Sequence, residues 1–109
     1  MFAIHDESGY SMPVDGIEMK TLVYGEKTLL TRFKMTQGAL LPSHSHPHEQ
    51  TGYLVSGRIN LYIGGECRNA GPGDSWCVAS GVEHRAEILE DSVAIEVFSP
   101  VREDYLPGA

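Results

Sequence analysis

Residues 38–57 read GALLPSHSHPHEQTGYLVSG, and they hold three of the five histidines of the chain between two glycines. His44 and His46 are two positions apart, a spacing that places both side chains on one face of an extended strand. Gln50 has the same parity, although Pro47 can disturb the register between them. A His-x-His pair alone also occurs among solvated loop histidines, so a metal site needs further donors from another strand.

A second segment supplies one such donor. Residues 73–84 read GDSWCVASGVEH and end in a lone histidine, His84. Two ligands from one strand, a third a few residues later and a fourth from a distant strand can meet inside a barrel. The two segments are therefore candidate parts of one metal site.

The pattern of the remaining chain favours short strands. In residues 58–63 (RINLYI), Ile59, Leu61 and Ile63 alternate with more polar residues, as in a half-buried strand, and the two glycines that follow predict a hairpin turn. No window shows helical periodicity over three turns. The sequence predicts an all-β fold, a sandwich or a small barrel, with further strands at residues 28–35, 75–78 and 93–99.

Length and charge limit the function classes. The chain has 109 residues, which suits a single domain with one core. Its net charge is −7, from 15 acidic and 8 basic residues, and no basic stripe is visible, so we expect no nucleic-acid partner. In this negative field an anionic substrate would need a local cation, either a metal or a placed arginine.

The sequence also gives expectations about location and cysteine chemistry. No basic N-terminal stretch leads into an apolar run, and no apolar run approaches the ~20 residues of a membrane span, so we expect a cytoplasmic protein without membrane contact. Cys67 and Cys77 form no Cys-x-x-Cys motif. This favours two reduced thiols in strands over a disulfide between neighbouring strands.

The spacing of the first segment resembles the first motif of the cupins. In that motif a glycine, two histidines, an acidic ligand and a second glycine follow at set intervals. On those intervals this sequence carries Gly38, His44, His46, Gln50 and Gly57.

The second segment resembles the second cupin motif. Gly73, Gly81 and His84 fit it, whereas Ala79 replaces its proline and Ile88 its asparagine. Together the two motifs cover residues 38–88.

The cupin resemblance implies a jelly-roll β-barrel and a single cupin domain over residues 1–109. We expect the barrel core at about residues 28–99, N-terminal strands within residues 1–27 and a C-terminal tail at residues 100–109. The resemblance also implies one divalent metal ion. Its expected ligands are His44, His46, Gln50 and His84.

Gln50 departs from the family pattern, because most cupins carry glutamate at this position. Three neutral imidazoles and a neutral amide leave the divalent charge uncancelled, which favours a strong Lewis acid and disfavours an iron dioxygenase. By parity Glu49 points to the other face, yet it stays an alternative ligand, and His48 is either a neighbour of the ligands or a surface residue. The donor set suits zinc, nickel, manganese, iron or copper.

The last predicted strand has two interpretations. Val93, Ile95 and Val97 face one way, while Glu96 and Phe98 face the other. The simpler rule buries the fully apolar face and leaves Glu96 in solvent. Alternatively, the lumen is the functional face, and a carboxylate and an aromatic ring lie opposite the metal for acid/base work.

A resemblance favours the second interpretation. Residues 96–102 (EVFSPVR), together with HPHEQ, are similar to the KdgF-type cupins of pectin and alginate breakdown, which turn cyclic 4,5-unsaturated monouronates into linear keto forms. That resemblance implies catalytic roles for Glu96, Phe98 and Arg102, and the glutamine ligand of those proteins matches Gln50. The acid there is often aspartate, so Glu96 is a longer substitute.

The substrate implied is a small, acidic, sugar-like molecule. Arg102 can hold its carboxylate through two hydrogen bonds. The alternative is a surface arginine that pairs with Glu103 or Asp104. Two other functions stay open, namely a metal-dependent cupin dioxygenase and a non-catalytic sugar-binding or sensing module. Exposed strand edges in so small a barrel favour a homodimer.

Overall fold

The structure is a computed structural model that describes residues 1–108. These residues form eight strands and one short 3₁₀ helix. The strands are β1 (Ser11–Val14), β2 (Ile17–Tyr24), β3 (Leu29–Met35), β4 (Leu40–His44), β5 (Glu49–Ile63), β6 (Glu66–Ala70), β7 (Ser75–Val78) and β8 (His84–Ser99), and the helix is Glu103–Tyr105. The all-β prediction is confirmed. No helix within residues 1–108 has the length and apolar character needed to cross a membrane.

Two long strands, β5 and β8, organise the sheet. They pair antiparallel with each other from Glu49↔Ser99 to Ile63↔His84. The second half of β8 also pairs with β3, and its first half pairs with β4. The first half of β5 pairs with β7 and its second half with β6 through the predicted glycine hairpin. Each long strand therefore contributes to both layers of the barrel.

The core fills the space between these two layers. The predicted alternation in β5 is confirmed, because Ile59 and Leu61 are buried and Asn60 and Tyr62 face outward. The side chains that form the buried apolar cluster come from both layers: Ile17, Met19, Leu29, Phe33, Met35, Leu54, Ile59, Leu61, Ala70, Ala86, Ile88, Ala94 and Phe98. Ile88, which replaces the motif asparagine, is thus a core residue.

The structure decides between the two orientations considered for the last strand, β8. Ala94 and Phe98 are 2% and 1% exposed, so their face of β8 points into the barrel and takes Glu96 with it. Val93, Ile95 and Val97 lie on the outer face and are only half-buried. The rule that buries the fully apolar face is wrong here, because the lumen carries a polar site as well as the core.

The segment after β8 packs back onto the barrel. Val101, Tyr105 and Leu106 pack against the core cluster. The Thr21 hydroxyl donates to the Tyr105 carbonyl oxygen at 2.6 Å, which ties this segment to β2. Cys67 and Cys77, in β6 and β7, are exposed free thiols, as expected.

Candidate metal centre

Three histidines from two separate segments of the chain converge in the lumen. His44 ends β4 and pairs in register with His84, the first residue of β8. Their ring centroids are 4.1 Å apart, and the His46 ring lies 4.9 Å from that of His84 and 5.8 Å from that of His44. One ligand nitrogen from each ring lies within 4.8 Å of the others. The predicted convergence of His44, His46 and His84 is confirmed.

Local hydrogen bonds fix the tautomer of every ring. Nδ1 lies 2.8 Å from the Pro42 carbonyl oxygen in His44, 2.9 Å from that of His48 in His46, and 3.0 Å from that of Val82 in His84. A carbonyl oxygen only accepts, so each Nδ1 carries the proton and donates it. Each Nε2 therefore keeps a free lone pair, the form that binds a metal.

The unsatisfied atoms of the site show that it fits a cation. His84 is 3% exposed, and its Nε2 is buried without a hydrogen-bond partner. The Gln50 Oε1 lies 3.0 Å from the His46 Nε2, which brings two lone pairs together. A divalent ion among these donors would satisfy the orphaned nitrogen and turn that repulsion into shared coordination.

Burial keeps the imidazoles of His46 and His84 neutral. It lowers the pKa of His84 to about 4, with smaller opposing and reinforcing effects from the Val82 hydrogen bond and the neighbouring His44. Burial also lowers the pKa of His46, against the hydrogen bonds to Gln50 and His48. Neutral rings at pH 7 are ready to bind without first losing a proton.

The fourth predicted ligand lies beside these histidines. Gln50 is 6% exposed and sits on the inner face of β5, whereas Glu49 is exposed on the outer face, as its parity predicts. His48 is half-buried, and its ring centroid is 5.6 Å from that of His46, but it orients that ring through its carbonyl oxygen and is not among the three converging side chains. The surrounding donors are thus three imidazoles and one amide oxygen.

Glu96 lies in the same lumen. The Trp76 indole N–H donates to its Oε1 at 3.3 Å. Burial raises the pKa of Glu96 to about 7, and hydrogen bonds from Gln50 and Trp76 and the charge of Arg102 oppose that rise. A carboxyl group with such a pKa can both take and return a proton near neutral pH.

Phe98 and Arg102 line the same cavity. The Phe98 ring meets the His46 ring edge-on at 5.8 Å and is nearly fully buried, so it forms part of the cavity wall. The Arg102 side chain is 14% exposed and stacks on the Tyr105 ring at 3.9 Å. Its Nε and Nη2 donate to the Asp104 carboxylate at 3.2 and 2.7 Å. Arg102 pairs with Asp104, as one interpretation predicts, and also lines the cavity, whereas its role in holding a substrate carboxylate stays a prediction.

Two lining residues escaped sequence reasoning. Trp76 and Tyr105 both border the cavity with the metal donors and Glu96. Trp76 stands in a four-residue strand whose alternation is too short to assign an inner face. Tyr105 lies in a segment without strand periodicity, and only its apolar neighbours Val101 and Leu106 indicate packing.

Comparison with known families agrees with this geometry. The cupin domain profile matches residues 31–99, most of the chain. The chain belongs to the cupin family. The match begins within β3 and ends with β8, and it therefore includes all four candidate metal donors.

Several cupins resemble this one over nearly their whole length. The pectin degradation protein KdgF of Dickeya dadantii (strain 3937) is 31% identical over 107 residues, which cover 96% of this chain and 97% of that protein. The structure of KdgF from Halomonas sp. superposes with a TM-score of 0.91 at 33% identity, covering 97% of this chain and 98% of that one. An RmlC-like cupin from Shewanella frigidimarina NCIMB 400 gives a TM-score of 0.90 at 26% identity, covering 96% and 95%.

Proposed function

We propose that this cupin is a metal-dependent enzyme that converts cyclic 4,5-unsaturated monouronates into their linear keto forms, in the breakdown of pectin or a related polyuronate. The observation that carries the proposal is the position of Glu96, a carboxyl group inside the barrel beside three convergent histidines. The likeness to two KdgF proteins over nearly the whole chain supports the substrate class.

Arg102 would anchor the substrate carboxylate. Asp104 occupies its Nε and one N–H of Nη2, which leaves the edge formed by Nη1 and Nη2 free for a second carboxylate. Stacking on Tyr105 keeps the guanidinium plane in place. Phe98 would form the apolar wall against which the sugar ring packs.

Glu96 would carry the proton through an isomerisation in which no atom is gained or lost. Its carboxylate takes the proton of the C1 hydroxyl while the bond between C1 and the ring oxygen breaks. The products are a C1 aldehyde and an enolate at C5. Glu96 then returns the proton to C4, and the enolate becomes a C5 ketone. His44, His46, Gln50 and His84 would hold a divalent ion, which would supply Lewis acidity beside the substrate oxygens.

The test is turnover of unsaturated galacturonate, measured as the loss of the ultraviolet absorbance of its conjugated enol ether. We expect turnover that stops when a chelator removes the metal. With saturating metal, Glu96→Gln should lose about 10²–10⁴-fold in rate, the usual contribution of one general acid/base group. A Glu96→Gln rate equal to wild type would contradict the role of Glu96.

The same preparation separates the alternatives. Bound iron and oxygen consumption with a small aromatic, thiol or diketone substrate would indicate a cupin dioxygenase. Binding of galacturonate without turnover of its unsaturated form would indicate a sugar-binding module. Elemental analysis of freshly purified protein identifies the metal among zinc, nickel, manganese, iron and copper.

A further inference from the structure

Trp76 is a large side chain of the lumen that the proposed mechanism leaves unused. It lies on β7, directly opposite Gly52 of β5, and Gly52 in turn lies opposite Glu96 of β8. The indole crosses over Gly52 and donates its N–H to the Glu96 Oε1 at 3.3 Å. A Cβ at Gly52 would lie 2.3 Å from the indole nitrogen, so only glycine leaves room for this crossing.

The Gln50 side-chain amide lies in an orientation that its contact with His46 alone does not favour. Its Oε1 faces the lone pair of the His46 Nε2 at 3.0 Å. Rotated by half a turn, the amide would present its NH₂ group to that nitrogen and form a good hydrogen bond. That orientation would also occupy the lone pair that a metal needs.

Glu96 favours the orientation with the oxygen toward His46. Its carboxylate receives the hydrogen bond from Trp76 and lies diagonally across β5 and β8 from Gln50, where the Gln50 amide acts as a donor that lowers the Glu96 pKa. Only the NH₂ group of an amide donates, so this contact turns the Gln50 oxygen toward the histidines. The carboxylate can do this only while it is held beside β5, and Trp76 is the donor that holds it from the β7 side.

We propose that Trp76 is a positioning residue of the metal centre, whose indole N–H fixes Glu96 and thereby keeps the Gln50 amide oxygen directed at the bound ion. This inference rests on the metal-binding part of the proposed function and is independent of the substrate. It differs from the proton-transfer role of Glu96, because it concerns the metal affinity of the resting protein.

The test measures Zn²⁺ affinity of the full chain by competition with a chromophoric chelator. Trp76→Phe keeps an aromatic ring but removes the donor, and we expect a 10–100-fold weaker affinity, as for other residues that orient metal ligands. Glu96→Gln should weaken the affinity by a similar factor, because one of its two acceptor oxygens becomes an NH₂ group, which donates and cannot accept. The matched control is Tyr62→Phe, which removes another aromatic hydrogen bond to a glutamate, the 2.6 Å bond to Glu87 outside the lumen. We expect it to leave the affinity unchanged.

A second readout separates orientation from general loss of structure. In the Zn²⁺-loaded protein, the side-chain amide signals of Gln50 in a ¹H–¹⁵N spectrum should shift in Trp76→Phe and stay in place in Tyr62→Phe. Gly52→Ala, which pushes the indole aside without deleting it, should change both the affinity and these signals. If Trp76→Phe does not fold, Gly52→Ala replaces it as the test variant.

Two results would overturn the inference: wild-type Zn²⁺ affinity in Trp76→Phe, or a weaker affinity with unmoved Gln50 amide signals. A failure of this inference can be told apart from a failure of the proposed function. If the wild-type protein leaves unsaturated galacturonate unchanged, the proposed substrate is wrong. The Zn²⁺ affinities of the variants test the role of Trp76 independently of that result.

Discussion

At the scale of single residues, each of the three convergent histidines is oriented by a backbone carbonyl two positions away. The Nδ1–H groups of His44 and His84 donate to the carbonyl oxygens of Pro42 and Val82, which precede them, and that of His46 donates to His48, which follows it. These local contacts fix the tautomer and direction of each ring without a partner from a distant strand. Glu96 differs, because its chemistry depends on burial between strands that are distant in sequence.

The raised pKa of Glu96 predicts a pH dependence of turnover. If its carboxylate takes the first proton, kcat/KM should fall about tenfold per pH unit below a pKa of about 7 and level off above it. The measurement is the enol absorbance assay across this range, with metal content checked at every pH so that metal release is not mistaken for protonation. The residual rate of Glu96→Gln should lack this inflection. The same inflection in that variant would assign the titration to another group.

At the scale of secondary structure elements, the bend of β5 allows one strand to serve both layers. The pairing of β5 with β8 shifts register on both sides of Gly57, whose φ of 94° lies in the left-handed region. A Cβ there would lie 2.1 Å from the Ser92 Oγ and 2.5 Å from the Asp91 carbonyl oxygen. This explains the last glycine of the first motif, since a side chain would prevent both the bend and the approach of β8.

This geometry predicts a large stability loss for Gly57→Ala. Left-handed strain and overpacking together should reduce the free energy of unfolding by about 2–5 kcal/mol. Urea denaturation of the metal-free protein, followed by circular dichroism, gives the value. Gly65→Ala is the matched control, because a Cβ at that hairpin glycine meets nothing within 4 Å and its φ is not in the left-handed region. Equal losses in the two variants would contradict this account of the bend.

At the scale of the whole molecule, the homodimer stays a prediction. The path of paired strands ends at β1 and β6. Pro13 in β1 and the charged Glu66 and Arg68 in β6 make both edges poor templates for another strand. The outer face of β5 and β8 is the better surface, because Tyr53 and Val55 are 49% and 48% exposed there and adjoin the outward valines and isoleucine of β8.

We therefore predict a dimer formed through this outer sheet face. Size-exclusion chromatography with light scattering should give twice the chain mass of 11.9 kDa. Val55→Glu should yield the monomer mass, because a charge would be buried against the second copy. The control is Leu40→Glu, which places the same charge at an exposed leucine of β4 outside this face, and this variant should remain dimeric. A wild-type protein of monomer mass would reject the dimer, and a dimeric Val55→Glu would reject this face.

Much of the fold and the convergence of the three histidines were predictable, because those features depend on local spacing. Alternation predicted the inner face of residues 58–63, and the histidine and glycine intervals predicted which donors meet. Spacing within a strand fixes which side chains share a face, and turn glycines fix where strands end.

Only the tertiary structure decided which other side chains line the lumen around the candidate metal donors. Alternation in β8 separates Glu96 and Phe98 from the outward valines, but it cannot state which set faces inward when both faces are largely apolar. The crossing of Trp76 over Gly52 and the return of Tyr105 to the cavity depend on pairing between strands far apart in sequence. Such register is set by the burial of the whole core and has no local signal in the chain.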